Sequence, residues 1–293
     1  MMTNKNKREP TIITNFPMNF PGASEHIKKV EQEMTNKISD KRLKVLSLGW
    51  GAQSWALAAM VTLGELEPVD FMIHADTTHE ATWTYSHAEK WTGWLEKRGQ
   101  KVITVKPSPH KLNAFDEYKG VFVPAYTTDG KSNGQLRRQC TGDWKIAPMR
   151  RKIQELRNGE PVEMWLGISL DEFQRMKESD VKYITNRYPL IEMKMTRYDC
   201  INWLKNHKLD IPQRSACTFC PYHSTREWQL IKQSPVDWAS AVVHDEAIRK
   251  IRPPFDLFVH PARIPLVDVD LRTAEEKGQL RLWDEECFGI CGV

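Results

Sequence analysis

Between Lys44 and Val105 the chain alternates between short apolar runs and longer segments with helical spacing, and this alternation constrains the fold more than any other feature. Lys44-Val-Leu-Ser-Leu-Gly49, Asp70-Phe-Met-Ile-His-Ala75 and Lys101-Val-Ile-Thr-Val105 are predicted strands. Gln53 to Leu63 and Thr82 to Arg98 are predicted helices, the second closed by the stop residue Gly99. Strand, helix, strand, helix, strand implies parallel strands joined by right-handed crossovers, so the expected fold is α/β with a doubly wound, mainly parallel sheet.

Residues 107 to 145 show no regular periodicity and carry Pro107, Pro109, Gly120, Pro124, Gly130 and Gly134, which predicts a long loop region of the kind that often carries function. A helix near Ala147 to Leu156 and a fourth core strand over Glu163 to Ile168 follow. Thr196-Arg-Tyr-Asp199 and Ser224-Thr-Arg-Glu227 read as capping boxes, and Ser234-Pro235 opens another helix. Before residue 41, Pro10, Pro17, Pro21 and Gly22 precede a polar, mixed-charge stretch, which predicts an irregular arm leading into a short helix. The expected organisation is an N-terminal arm over 1–40, an α/β domain over 41–195 and a helical, cysteine-bearing region over 196–293, without internal repeats.

Composition excludes some classes. The 293 residues are 40 % hydrophobic with a mean hydropathy of −0.55, and no run approaches the roughly 18 consecutive apolar residues of a membrane span. The N-terminus begins basic but leads into no apolar segment, so no secretory signal is read and the expected compartment is the cytoplasm. Lys and Arg exceed Asp and Glu by only four, too slight an excess to argue for nucleic-acid binding by itself. Eleven tryptophans, most at helical spacing, are assigned to core packing. Six cysteines are too few for a disulfide scaffold, and Cys217-Thr-Phe-Cys220 in a reducing compartment points to metal or redox chemistry.

The segment Ser47-Leu-Gly-Trp-Gly-Ala-Gln-Ser54 sits between a predicted strand and helix. Glycines there let successive N–H groups turn inward and bind an anion together with the helix N-terminus. The segment lacks the Lys-Ser/Thr pair of a Walker loop and the spacing of the dinucleotide fingerprint. From Gln135 to Lys152 the basic residues Arg137, Arg138, Lys145, Arg150, Arg151 and Lys152 face one acid, Asp143, and suit a phosphate tail, a sulfate or a nucleic-acid backbone. Asp76 either contacts a ligand or caps a turn. Asp171, Glu172 and Arg175 either hold a cation or phosphate or form surface ion pairs.

Taken together, these residues resemble the adenine nucleotide α-hydrolase superfamily, whose members carry PP-loops, and within it the phosphoadenosine phosphosulfate (PAPS) reductase-like branch. Gly49-Trp-Gly-Ala-Gln-Ser54 looks like the family's Ser-Gly-Gly-x-Asp-Ser loop, and Asp76-Thr-Thr78 like its acidic turn after the second strand. In order follow Arg138-Gln-Cys-Thr141 with Trp144-Lys145 and Pro148, Gly167-Ile-Ser-Leu-Asp-Glu172 with Arg175, Asn186-Arg-Tyr-Pro-Leu190, Asp199 with Trp203-Leu204, and Ser215-Ala-Cys-Thr-Phe-Cys-Pro221. The resemblance implies a Rossmann-like fold and an adenine nucleotide contacted by Ser47, Gly49, Gly51, Gln53, Ser54, Asp76, Thr77, Thr78, Arg138, Gly167, Asp171 and Arg175. Gln53 stands where the family usually has Asp, and Gly49 where it has the first Ser, so contacts to phosphate and magnesium differ from those of the ATP-cleaving members.

The resemblance also makes Cys140 a ligand with Cys217 and Cys220 to an iron–sulfur cluster, with zinc as the alternative, and offers Cys287 or Cys291 as the fourth. Glu286-Cys-Phe-Gly-Ile-Cys291 is similar in part to the Glu-Cys-Gly-x-His tail of sulfonucleotide reductases, without its His. Cys200 reads as buried and structural, and His223 either as a metal ligand next to Cys220 or, by preference, as a surface residue at a helix start.

The leading expectation is an enzyme that cleaves ATP to AMP and pyrophosphate to activate a substrate for sulfur transfer, with Cys287, Cys291 and Lys145 as catalytic candidates. The runner-up is a PAPS or adenosine phosphosulfate reductase whose C-terminal cysteine attacks sulfur. A third expectation is a non-catalytic nucleic-acid-binding or complex subunit with a degenerate loop and a structural zinc. ATP or PAPS, a cluster or zinc, and magnesium are the cofactors these readings name. The partners are an adenine nucleotide, a nucleic-acid substrate or sulfur-donor protein and a second copy of the chain, with no membrane.

Overall fold

The computed structural model describes residues 42–108 and 123–278, with a short strand pair at 115–116 and 120–121. The expected N-terminal arm and the tail cysteines Cys287 and Cys291 lie outside the described residues. Strand β1 is Leu43–Ser47, helix α1 Ala52–Leu63, β2 Phe71–Ala75, α2 Thr82–Glu96 and β3 Val102–Val105. Next come β4 Phe115–Asp116, β5 Gly120–Val121, β6 Tyr126–Thr128, β7 Asn133–Gln135 and α3 Ala147–Leu156. The remainder is β8 Val162–Trp165, β9 Ile184–Arg187, α4 Pro189–Glu192, α5 Arg197–Asn206, α6 Thr225–Gln233, α7 Pro235–Ile248 and β10 Asp256–Phe258.

Five strands form one parallel sheet in the order β3-β2-β1-β8-β9, with Val45 paired to Phe71 and Met164. This is the doubly wound parallel sheet that the alternation predicts. Successive side chains point to opposite faces, and both faces are covered. Leu46, Met72 and Trp165 enter a core with Trp55 of α1, Trp91 and Leu95 of α2, and Cys200 and Leu204 of α5. Val45, Ile73, Val162 and Met164 pack on the other side with Met149 and Ile153 of α3. The chain winds outward from β1 through β2 to β3 on one side and through β8 to β9 on the other. The carboxyl ends of β1 and β8 therefore flank the crevice in which doubly wound sheets bind ligands.

Both capping boxes form, at Thr196 with Asp199 and at Ser224 with Glu227, and the Ser234 side chain accepts from the Asp237 amide at the start of α7. Two expectations need correction. The fifth strand, β9, was not predicted: in Ile184-Thr-Asn-Arg187 only Ile184 is buried, so an edge strand leaves no apolar run to read. The region 107 to 145 is not only loop. It contains the β4–β5 and β6–β7 pairs, and β6 gains an antiparallel partner in β10 far along the chain. Val123, Ala125, Trp144, Phe219, Trp228, Leu257 and Val259 build a further core beside this small sheet.

Candidate functional site

The loop after β1 is held from within. Gly49 N donates to Ser54 Oγ at 3.2 Å, and Ser54 Oγ donates to the Gly51 carbonyl at 3.2 Å. Trp50 has φ of +59°, a left-handed conformation costly for a bulky residue, and is kept there by burial against Trp55, His74 and His87. Helix α1 starts at Gly51, which supplies no side-chain cap, and its first turn holds no acidic residue. No acidic side chain of the first turn offsets the partial positive charge of this helix end. A Cβ added at Gly51 would meet nothing within 4 Å, whereas one at Gly167, after β8, would lie 2.8 Å from Ser54 N. Gly167 therefore lets the two loops at the crevice pass in backbone contact, and Gly51 opens onto free space.

Gln53 is buried and fully engaged. Its Nε2 donates to Ser169 Oγ at 3.3 Å and Glu172 Oε2 at 3.1 Å, while Arg197 Nη1 donates to its Oε1 at 3.3 Å. Arg175 Nη1 donates to Glu172 Oε1 at 2.7 Å, and Asp171 Oδ1 accepts the Arg197 amide at 3.0 Å. The predicted residues Gln53, Asp171 and Arg175 thus belong to one cluster. Sequence reasoning missed the roles of Ser169 and Arg197, although Ser169 lies in the Gly167 to Glu172 motif and Arg197 in the capping box that opens at Thr196.

At the carboxyl end of β2, Asp76 does cap a turn: Oδ1 accepts Thr78 N at 2.7 Å and the Tyr85 hydroxyl at 2.9 Å. Thr78 has φ of +65°. Asp76 Oδ2 also lies 3.6 Å from Lys106 Nζ. Burial and the Asp76 carboxylate together push the Tyr85 hydroxyl well above its ordinary value. Thr77 Oγ1 lies 3.4 Å from Glu80 Oε1 and 3.3 Å from Cys217 Sγ. Glu80 and Tyr85 were not singled out from sequence, and Ser215 only as the first residue of the Ser215 to Pro221 motif. An acidic residue a few positions past a strand end was the available signal for Glu80.

The Lys145 ammonium donates to Glu80 Oε1 at 3.2 Å, and that carboxylate raises the Lys145 pKa. Burial and then Glu80 push the Cys217 thiol up, with Lys145 opposing them. Cys217 and Cys220 share a tight turn, Cys220 N donating to the Cys217 carbonyl at 3.0 Å. Burial raises Cys220 as well; the guanidinium groups of Arg214 and Arg138 oppose this, and Cys140 adds to it. Cys140, Cys200, Cys217 and Cys220 are all free thiols. Among the described residues, no three His, Cys, Asp or Glu side chains converge in a way that could hold a metal ion.

Cys200 is buried, as expected, and pushed up to about 12 by burial and the nearby Asp171 and Asp199. His223 is not the surface residue expected: it is buried, its Nε2 is 2.8 Å from the Cys217 carbonyl, and Glu227 lies 3.7 Å from its Nδ1. The basic run divides. Arg138 is exposed over the Tyr222 ring, whereas Arg150 pairs with Asp180, Arg151 with Ser108 and Lys152 with Glu155. No helix among the described residues is long and apolar enough to cross a membrane.

No family model matches the chain, and no curated protein matches it. Among solved structures the chain is similar to the phosphoadenylyl-sulfate (PAPS) reductase from Candida auris in its phosphate complex. That match is 14 % identical, covers 64 % of this chain and 87 % of the reductase, and has a TM-score of 0.43. It is also similar to the U34-tRNA thiolase NcsA from Methanococcus maripaludis with its 4Fe-4S cluster, at 14 % identity, 77 % of this chain, 80 % of the thiolase and a TM-score of 0.38.

Proposed function

We propose that this chain is a PP-loop enzyme that binds an adenine nucleotide over residues 47–54 and uses it in sulfur chemistry. The observation that carries this reading is the uncapped start of α1 at the β1–β8 crevice, with open space beside Gly51 and the β8 loop packed against Ser54. Amides of the loop and of the first turn of α1 would hold phosphate oxygens and stabilise charge that develops on them. In the leading form, a substrate oxygen attacks the α-phosphorus of ATP and pyrophosphate leaves. A sulfur nucleophile then attacks the activated carbon, and AMP leaves with the oxygen. Lys145 would neutralise phosphate charge at the same edge of the sheet.

A second reading is favoured by Gln53. A neutral amide occupied by Ser169, Glu172 and Arg197 leaves the loop without a carboxylate for magnesium, which suits a sulfonucleotide held by amides and basic groups. There a cysteine thiolate attacks the sulfate sulfur, the sulfur–oxygen bond to phosphate breaks, and the adenosine bisphosphate leaves. Cys140, Cys217 and Cys220 are the cluster or zinc ligands that the resemblance implies, and among the described residues no three donors converge to hold either group.

The test is calorimetry of the full chain with ATP, AMP, PAPS and adenosine phosphosulfate. Gly51 has φ of −84° and free space around it, so Gly51→Val should fold. We expect one of these nucleotides to bind the wild type and to lose at least about tenfold in affinity with Gly51→Val, or roughly 1.4 kcal/mol. The preference between ATP and PAPS selects the reaction. Failure of all four to bind, or unchanged affinity in Gly51→Val, refutes the assignment.

A further inference from the structure

Glu80 is the most enclosed charged group near the crevice. Its side chain is 0 % exposed, so it cannot itself reach a ligand, yet both carboxylate oxygens are occupied. Oε1 accepts Lys145 Nζ at 3.2 Å and Thr77 Oγ1 at 3.4 Å, and Oε2 accepts Ser215 Oγ at 2.9 Å. Lys145 comes from the π-helical turn Thr141–Ile146 that leads into α3, and Ser215 from the segment before the two cysteines. The backbone reinforces the junction: Glu80 bridges to Cys217, Ala81 N donates to the Ala216 carbonyl at 3.1 Å, and Thr218 N to the His79 carbonyl at 2.8 Å.

We infer that Glu80 is a positioning residue that fixes the Lys145 ammonium, and through Thr77 the Cys217 thiol, at the edge of the nucleotide crevice. The inference rests on the nucleotide reading above. An ammonium has three donors and can spend one on Glu80. The Lys145 side chain is 36 % exposed, and its ammonium is held against Glu80. A π-helical turn widens the backbone, which re-aims side chains and recurs at functional sites. Stability alone does not call for the pair, because apolar residues of similar volume commonly hold such a place as well as a buried ion pair does. What the pair adds is a cation held in one direction.

The sign of one mutational effect separates positioning from simple charge. A buried carboxylate repels a nearby phosphate, so through-space electrostatics predicts that Glu80→Gln binds anionic ligands more tightly. Positioning predicts the reverse, because a released lysine samples many rotamers. With ATP and PAPS as probes, we expect Glu80→Gln to weaken the binding nucleotide by about tenfold. Lys145→Met should do the same, and the double variant should be no weaker than Lys145→Met. Ser215→Ala keeps the charge and loosens only one oxygen. It should weaken binding by a smaller factor, only when Lys145 is present, and it serves if Glu80→Gln does not fold by near-ultraviolet circular dichroism.

Unchanged or tighter binding in folded Glu80→Gln, or equal losses from Ser215→Ala with and without Lys145, overturns the inference and leaves the nucleotide reading standing. Absence of nucleotide binding by the wild type overturns the nucleotide reading, and this inference with it.

Discussion

Replacing Gly167 by alanine adds one methyl group at the point where the β8 loop crosses the start of α1. The new Cβ would lie 2.8 Å from Ser54 N, 3.0 Å from Ser54 Cα and 3.2 Å from Ser54 Cβ. The nearest of these is about 0.6 Å inside ordinary contact, and two of the three atoms are backbone, so no rotamer change relieves it. Forced overpacking of this kind costs about 1–3 kcal/mol. In a domain of this size each kcal/mol lowers Tm by roughly 2–4 °C. Displacing Ser54 also disturbs its bonds to Gly49 and Gly51, so nucleotide affinity should fall with stability. Gly51→Ala is the control: its methyl meets nothing, and stability should change by no more than about 1 kcal/mol. Urea unfolding followed by tryptophan fluorescence, with calorimetry on the folded fraction, reads both. Gly167→Ala as stable as wild type and binding nucleotide normally would show that the two loops do not meet as described.

Asp237 of α7 accepts the Thr82 amide at 3.0 Å and the Thr82 hydroxyl at 2.7 Å, capping α2 from outside, so Asp237→Ala should lower stability by about 1–3 kcal/mol in urea titrations. Burial holds His87 neutral, down to about 4 from an ordinary 6.5, and does the same to His244 at about 3. Below pH 6.5 the unfolded chain therefore binds protons that the folded chain does not. Stability is full above that pH and should fall as the pH drops, with His87 alone giving up on the order of 3 kcal/mol by pH 4. His87→Gln should flatten this part of the profile. Cys200, buried and pushed up to about 12, should resist iodoacetamide until the protein unfolds, as mass spectrometry of quenched samples would show.

Much of the local structure was legible because its causes lie within a few residues. Thr196 and Asp199, Ser224 and Glu227, and Ser234 and Asp237 cap the starts of α5, α6 and α7, each pair three positions apart. β1, β2 and β8 announce strands because a sheet covered on both faces buries most of their residues, and the edge strand β3 because Val102, Ile103 and Val105 are apolar and β-branched. The crossover rule then dictates a parallel sheet, and the glycines from Gly49 to Gly51 mark the turn proposed to take a phosphate.

Tertiary structure alone decided which distant groups meet. No local pattern says that Asp237 caps Thr82, that β10 completes the small sheet of β6 and β7, or that Gly167 lies on Ser54. The same holds for Glu80, whose partners Lys145 and Ser215 are 65 and 135 residues away. Local sequence marked the longer helices, the strands β1, β2, β3 and β8 and the turn that could take a phosphate, because propensity, caps and glycine freedom act over a few residues. The partners of Gln53 and Glu80 were settled only when packing brought β1, β2 and β8 together, since a buried polar group is satisfied by whatever the fold places beside it.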